Sequence, residues 1–253
     1  MIYRRILLVL GAAFFGCIPP LVSVSSKSNS FEFARPAEAG VLGGYVPPPQ
    51  RRKIQGTEAG GSRGGGCRIA TSLSLLVPND HVGLTVSGHP TFLWYVSEPA
   101  SAPMRFTLVK PGVIKPFLTK EFQVDKPGIF KLEIPQDAPE LVEGDTYVWT
   151  VTIICNKNRP SENIFARGWI ARSPNTFGLQ QLLTNVTSGR ERAGAYAQSG
   201  IWYDAIAAAY QSSLPNPQER STFEYFSGLL DQVGLSNVAS TLRLPIARNR
   251  GVL

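Results

Sequence analysis

Asp145-Thr-Tyr-Val-Trp-Thr-Val-Thr-Ile-Ile-Cys155 is the stretch that decides how this chain reads. Tyr147, Trp149, Val151, Ile153 and Cys155 take the odd positions, with Val148, Thr150, Thr152 and Ile154 between them. Side chains of a strand project alternately to its two faces, so the odd set makes one unbroken apolar face. β-branched and aromatic residues suit such a half-buried pleated surface. The pattern predicts a central strand that carries Cys155 into a core beside a tryptophan.

Shorter runs of the same kind flank it. Leu73, Leu75 and Val77 alternate before Pro78-Asn-Asp80, and Val82, Leu84 and Val86 before Ser87-Gly88. Phe92, Trp94 and Val96 alternate before Glu98-Pro99, and Met104, Phe106 and Leu108 before Lys110-Pro-Gly112. Ile114 to Val124 is broken by Pro116, which predicts an edge strand. Phe130, Leu132 and Ile134 form another run, and Asn163 to Ala171 the last. Short alternating runs, separated by turns and without intervening helices, predict an antiparallel sandwich or barrel. Two patterns favour a sandwich like those of immunoglobulin and fibronectin type III domains: Pro90-Thr-Phe-Leu-Trp94, which delivers a tryptophan inward, and Leu141-x-x-Gly144-x-x-Tyr147. In such sandwiches a tyrosine at that point bonds back to nearby backbone.

The expected fold class is mainly β, an antiparallel immunoglobulin-like β-sandwich over 67–172 followed by a small all-α helical subdomain over 173–240 and a flexible tail over 241–253. In the helical part Leu179, Leu182, Leu183 and Val186 recur at helical spacing. From Ala193 through Tyr196, Gly200, Trp202, Ala205, Ala209 and Ser212 to Pro217, the spacing resembles one tetratricopeptide-like helical hairpin. Gly189 and Arg192 depart from that pattern, standing where an aromatic and a leucine belong. Helices are expected over about 190–199 and 201–213. A third follows Pro215-Asn-Pro217 with Phe223, Phe226, Leu229, Leu230 and Val233 on one face, and stops at Gly234.

The N-terminal part reads differently. Arg4 and Arg5 precede an apolar run from Ile6 to Ile18, closed by Pro19-Pro20 and followed by Ser23-Val-Ser25. That run falls short of the ~20 residues a membrane span needs and matches a secretory signal peptide over 1–25. Cleavage, retention as an anchor and lipidation at Cys17 all stay open. Residues 26–66, with Pro47-Pro-Pro49 and Gly64-Gly-Gly66, are expected to form a disordered Pro/Gly-rich linker. The glycines lack the strand, the Gly-Lys-Ser/Thr and the helix of a phosphate loop. Leader and linker carry most of the formal net charge of +7. The remainder is nearly neutral, which argues against a nucleic-acid footprint.

Without Cys17 two cysteines remain, Cys67 and Cys155. In an exported chain they are expected to form a disulfide closing a loop of nearly ninety residues, the alternative being two separate buried thiols.

One family resemblance covers much of the chain. Gly64-Gly-Gly-Cys67, Leu76-Val-Pro78, His89-Pro-Thr-Phe-Leu-Trp-Tyr95, Tyr147-x-Trp149, Ile154-Cys155 and Gly168-Trp-Ile170 resemble the signature of domain of unknown function 928, a family of exported cyanobacterial proteins. The resemblance implies an envelope or extracellular setting and brings no activity.

Chemistry-bearing residues are sparse. His81 and His89, the two histidines, have no cysteine or carboxylate at metal-ligand spacing. They read as surface turn residues, and the two sulfurs lack Cys-x-x-Cys spacing. No catalytic residue, metal or cofactor is expected, and the chain reads as a non-enzymatic interaction or scaffolding module. Its partner is expected to be a protein or an envelope polymer, with membrane contact only through the leader. Trp202 and Tyr203, adjacent at a helix start, are expected to leave one ring exposed as a partner anchor, or else to pack inward on the hairpin and the sandwich. Phe165 and Trp169, sharing a strand face with Arg167, are the other candidates, for a protein or for sugar rings. An enzyme of unrecognised type would require a pocket joining His81 or His89 to a carboxylate and a nucleophile.

Overall fold

The computed structural model describes residues 43–49, 59–60, 71–99, 102–214 and 220–248. Among these residues nine strands form, β1 (Ala59–Gly60), β2 (Leu73–Leu75), β3 (Gly83–Thr85), β4 (Thr91–Val96), β5 (Pro103–Val109), β6 (Leu118–Gln123), β7 (Gly128–Glu133), β8 (Thr146–Ile153) and β9 (Ile164–Arg172). They form two sheets. The larger runs β1-β9-β8-β5-β6 with β3 also on β9, and the smaller runs β2-β4-β7.

The alternation along β8 has the predicted consequence. Tyr147, Trp149, Val151 and Ile153 are buried, while Val148, Thr150 and Thr152 on the other face are half-exposed. β8 lies between β5 and β9, paired from Thr146 with Ala171 to Ile153 with Ile164 on one side and Val148 with Val109 on the other. Facing it from the smaller sheet, Phe92 meets Trp149 at 5.0 Å between ring centroids and Phe106 also at 5.0 Å. The Val142 N–H donates to Tyr147 Oη at 3.0 Å, the backbone bond expected of that tyrosine.

Three local expectations change. Cys155 lies two residues beyond the end of β8 and is half-buried, because the strand pairing stops at Ile153. The sheets are not wholly antiparallel: the chain leaves β2 in the smaller sheet, crosses over, and enters the larger one as β3 parallel to β9. The edge strand β6 begins only at Leu118, so Pro116, which has no N–H to give a ladder, lies outside it.

Among the described residues five α-helices follow the strands: α1 (Phe177–Thr184), α2 (Gly189–Gln198), α3 (Trp202–Ser213), α4 (Arg220–Gln232) and α5 (Ser236–Arg248). Ser188 and Glu191 form a reciprocal capping box at the start of α2. Ala193, Ala197, Ala205 and Ala209 are fully buried, small enough to let α2 and α3 pack closely. On α1 only Leu179 is buried, and Leu182 is half-exposed, so the expected stripe does not bury as one. Residues 215–219, which precede α4, lie outside the described residues.

The helices contribute as much regular structure as the strands, so the fold is two sheets with strands first and helices after, and mainly β describes it only roughly. Residue 172 is no break in packing, because Trp202, Tyr203, Phe226 and Ala239 join the same hydrophobic cluster as Phe92 and Trp149. α5 also replaces the first part of the expected tail from 241. Val238 and Ala239 anchor it, and Pro245, unfavourable inside a helix, falls within its last turns. Residues 43–49 are likewise no loose linker. Tyr45 is buried, its N–H donates to Gln232 Oε1 at 2.6 Å, and the Val46 N–H donates to the Ala197 carbonyl at 3.0 Å.

Candidate functional site

Two of the four aromatic candidates are structural. Trp202 and Tyr203 are both buried, so neither offers a surface anchor. The reason is that α3 meets the β layers with its N-terminal end, where successive residues diverge into two regions that are both covered. Trp202 Nε1 donates to the Leu76 carbonyl at 2.9 Å, and its ring meets Tyr45 edge-on at 4.9 Å. The Tyr203 hydroxyl accepts from Trp149 Nε1 at 2.7 Å and donates to the Trp169 carbonyl at 2.9 Å. A Cβ at Gly83 would stand 2.7 Å from the Tyr203 ring, so the close approach of α3 to β3 depends on a residue without a side chain.

Phe165 and Trp169 lie on the outer face of β9, half-buried, with exposed Arg167 between them. The Arg167 guanidinium sits 5.9 Å from the centre of the Phe165 ring. Pairing extends this face across the sheet: Phe165 stands beside Thr152, Arg167 beside Thr150 and Trp169 beside Val148. Thr150 in turn stands beside Thr107, and Thr107 beside Thr119. The result is a face of two aromatics, an arginine and a row of hydroxyls. Trp169 Nε1 is buried and has no hydrogen-bond partner among the described residues, although buried indole donors are normally satisfied.

A second polar region lies where the helices meet the end of the sheets. A cavity of about 200 Å³ is lined by Ser87, His89, Glu133, Tyr196 and Asp204, among others. Asp204 Oδ2 accepts from the Val86 N–H at 3.2 Å. Burial pushes its carboxyl up to about 6, against the lowering effect of hydrogen bonds from Thr85 and Val86. Burial also raises the nearby Tyr196 hydroxyl. The cavity thus brings His89 together with two carboxylates, Glu133 and Asp204, and with Ser87. The Ser87 hydroxyl oxygen accepts from the backbone N–H of His89 at 3.1 Å, and His89 Nε2 faces the Ala138 carbonyl at 3.0 Å. No hydrogen bond joins the Ser87 and His89 side chains among the described residues. Sequence reading passed over Asp204, whose place at the start of a helix bearing Trp202 and Tyr203 was its only signal.

His81 is not a surface turn residue. It is buried, with Nε2 2.7 Å from Tyr45 Oη and Nδ1 2.6 Å from Asp80. Its partner Tyr45 comes from the segment read as linker. Cys155 packs at the edge of the core, its Sγ 3.5 Å from the Ile153 carbonyl oxygen, while Cys67 lies outside the described residues. Among the described residues no group of three or more His, Cys, Asp or Glu could hold a metal ion. No described helix is long and apolar enough to cross a membrane.

No curated protein matches this chain. Among solved structures it is similar to that of Astrotactin-2, described as a conserved vertebrate-specific and perforin-like membrane protein involved in neuronal development. The identity is 12% and the TM-score 0.26, over 69% of this chain and 36% of that one. The chain thus spans about a third of that protein's length, and so distant a likeness bears on neither fold nor function. Residues 58–242, most of the chain, match the family described as Domain of Unknown Function (DUF928), and the chain belongs to that family.

Proposed function

We propose that this protein is an exported, non-enzymatic interaction module of the cell envelope, and that the outer face of its larger sheet is the binding face. The observation that carries this reading is the half-exposed strip Phe165, Arg167 and Trp169 on the outer face of β9. Both histidines are committed to internal hydrogen bonds, which supports binding over catalysis. The strand order, the buried tryptophans and the Tyr147 backbone bond support an immunoglobulin-like sandwich as the scaffold. The Cys67–Cys155 disulfide belongs to the same reading. Described residues on both sides of position 67, Gly60 and Thr71, lie toward the end of the sandwich where β8 delivers Cys155. Alkylation of the unreduced protein should leave both sulfurs unmodified, and labelling of either one refutes the bridge.

Immobilised protein is expected to retain a protein or polymer from envelope extracts, and Trp169→Ala to lose most of it. Equal retention by the wild type and the variant, or none by either, overturns the assignment of this face. A carbohydrate ligand is the second reading. Phe165 and Trp169 are spaced about 13 Å apart along the strand, at ~3.3 Å per residue, and threonine hydroxyls lie between them and the far edge. Retardation of the wild type, but not of Trp169→Ala, in gels containing envelope polysaccharide would favour it over a protein partner.

A further inference from the structure

Ile114 is fully exposed and Val113 is 51% exposed, side by side at the tip of the β5–β6 hairpin. The tip is held out by its own backbone. The Val113 N–H donates to the Lys110 carbonyl at 3.0 Å, closing a turn around Pro111 and Gly112. Gly112 has φ +81°, which a tight turn of this kind requires at that position. At the far side the Phe117 N–H donates to the Leu108 carbonyl at 2.8 Å, and the Phe117 ring meets Tyr147 edge-on at 5.5 Å. With both ends pinned and Pro116 between them, the two aliphatic side chains stay directed away from the sandwich. The adjoining turn adds Val142, 57% exposed. It is linked to the hairpin by Lys110 Nζ, 2.5 Å from Asp145 Oδ2, and by the Asp145 N–H, 3.2 Å from the Val142 carbonyl.

Charge on the hairpin itself is one-sided. Lys110 to Lys120 contains three lysines and no acid. In the adjoining turn Asp145 pairs with Lys110, and Glu140 and Glu143 share Arg172 at 2.7 and 3.9 Å, which leaves Lys115 as the cation nearest the apolar point. Lys115 and Lys120 have no ion-pair partner among the described residues, so the tip presents positive charge beside its apolar point. A protruding aliphatic pair fits a surface it can penetrate, and lysines beside it favour an anionic one.

We propose that this hairpin tip docks on an anionic lipid surface, with Val113 and Ile114 entering the headgroup–acyl boundary and Lys115 lying among the headgroups. The contact is separate from the outer face of the larger sheet and does not depend on what that face binds. Two aliphatic side chains give a weak, reversible contact that orients the protein on a membrane rather than a sole anchor.

The test uses the full chain with vesicles of phosphatidylcholine alone or mixed with phosphatidylglycerol. Ile114→Asp should bind the mixed vesicles about tenfold more weakly than the wild type, the effect of losing one buried aliphatic side chain. Because the apolar run from Ile6 to Ile18 also partitions into lipid where it is present, a local reading at position 114 decides the matter. An Ile114→Trp variant should be quenched by bromine-labelled acyl chains in mixed vesicles and much less in phosphatidylcholine alone. Absence of quenching in mixed vesicles overturns the proposal, whatever the total binding. So does a concentration-dependent dimer that Ile114→Asp abolishes without any lipid signal, since it would give the tip to a second copy of the chain.

Discussion

Trp202 with Tyr203 and Phe165 with Trp169 look alike in sequence, two aromatic pairs beside polar residues, yet they end in opposite settings. The first pair is buried where α3 meets the sheets, with every indole and phenol polar group bonded. The second stays half-exposed on a sheet face, with one indole donor unsatisfied. The Tyr203 hydroxyl bonds the Trp169 backbone, so the two pairs lie on opposite sides of one strand. Aromatic content alone therefore does not mark a binding surface. What separates the pairs is whether another part of the chain covers them.

The sharpest way to break this contrast is Trp202→Ala. It removes a fully buried ring that packs on Tyr45 and bonds the Leu76 carbonyl. Large-to-small core changes of this kind destabilise by about 3–5 kcal/mol. Urea unfolding should show that loss and a single transition, because strands and helices share one core. A loss below about 1 kcal/mol, or separate transitions for strands and helices, would return Trp202 to the surface and the helices to an independent unit.

The strands were legible because period-two alternation survives wherever one face is buried, as Tyr147 to Ile153 shows. The hairpin was legible from Ala193, Ala205 and Ala209, whose small size matters only where two helices touch. Tyr45 was not legible. A lone tyrosine among glycines and prolines has no periodicity, and its burial depends on His81, Trp202 and Gln232 from three distant places. The fate of Trp202 and Tyr203 was hidden for the same reason: helical spacing fixes which residues share a face, and only the tertiary fold fixes what covers each face. The cavity around Asp204 is assembled from turns and helices remote in sequence, so no local motif announced it.

A pH titration sharpens the comparison at the buried side. The Asp204 carboxyl is pushed up to about 6 from an ordinary 3.8. Between these values the folded chain keeps a proton that the unfolded chain has released. The associated stability is complete below pH 3.8 and falls away as pH rises through about 6, by roughly 2–3 kcal/mol at most. Asp204→Asn should flatten this slope in urea melts taken from pH 4 to 7, while Arg167→Gln on the outer face should leave it intact. A slope that persists in Asp204→Asn would place its origin elsewhere.

The smallest stability effect is expected on the outer face, where it is also the most informative. Trp169→Ala removes a half-exposed ring and an unsatisfied donor, so the packing lost is offset in part by relief of a buried polar group without a partner. A net change within about 1 kcal/mol is expected, and Phe165→Ala should behave alike, since its ring shares the same exposed strip with Arg167. The measurement pairs unfolding midpoints with retention of envelope material. Near-normal stability with lost retention separates binding from folding at this strip. A loss comparable to that of Trp202→Ala would mean that Trp169 is core after all, and the two aromatic pairs would then differ in location but not in kind.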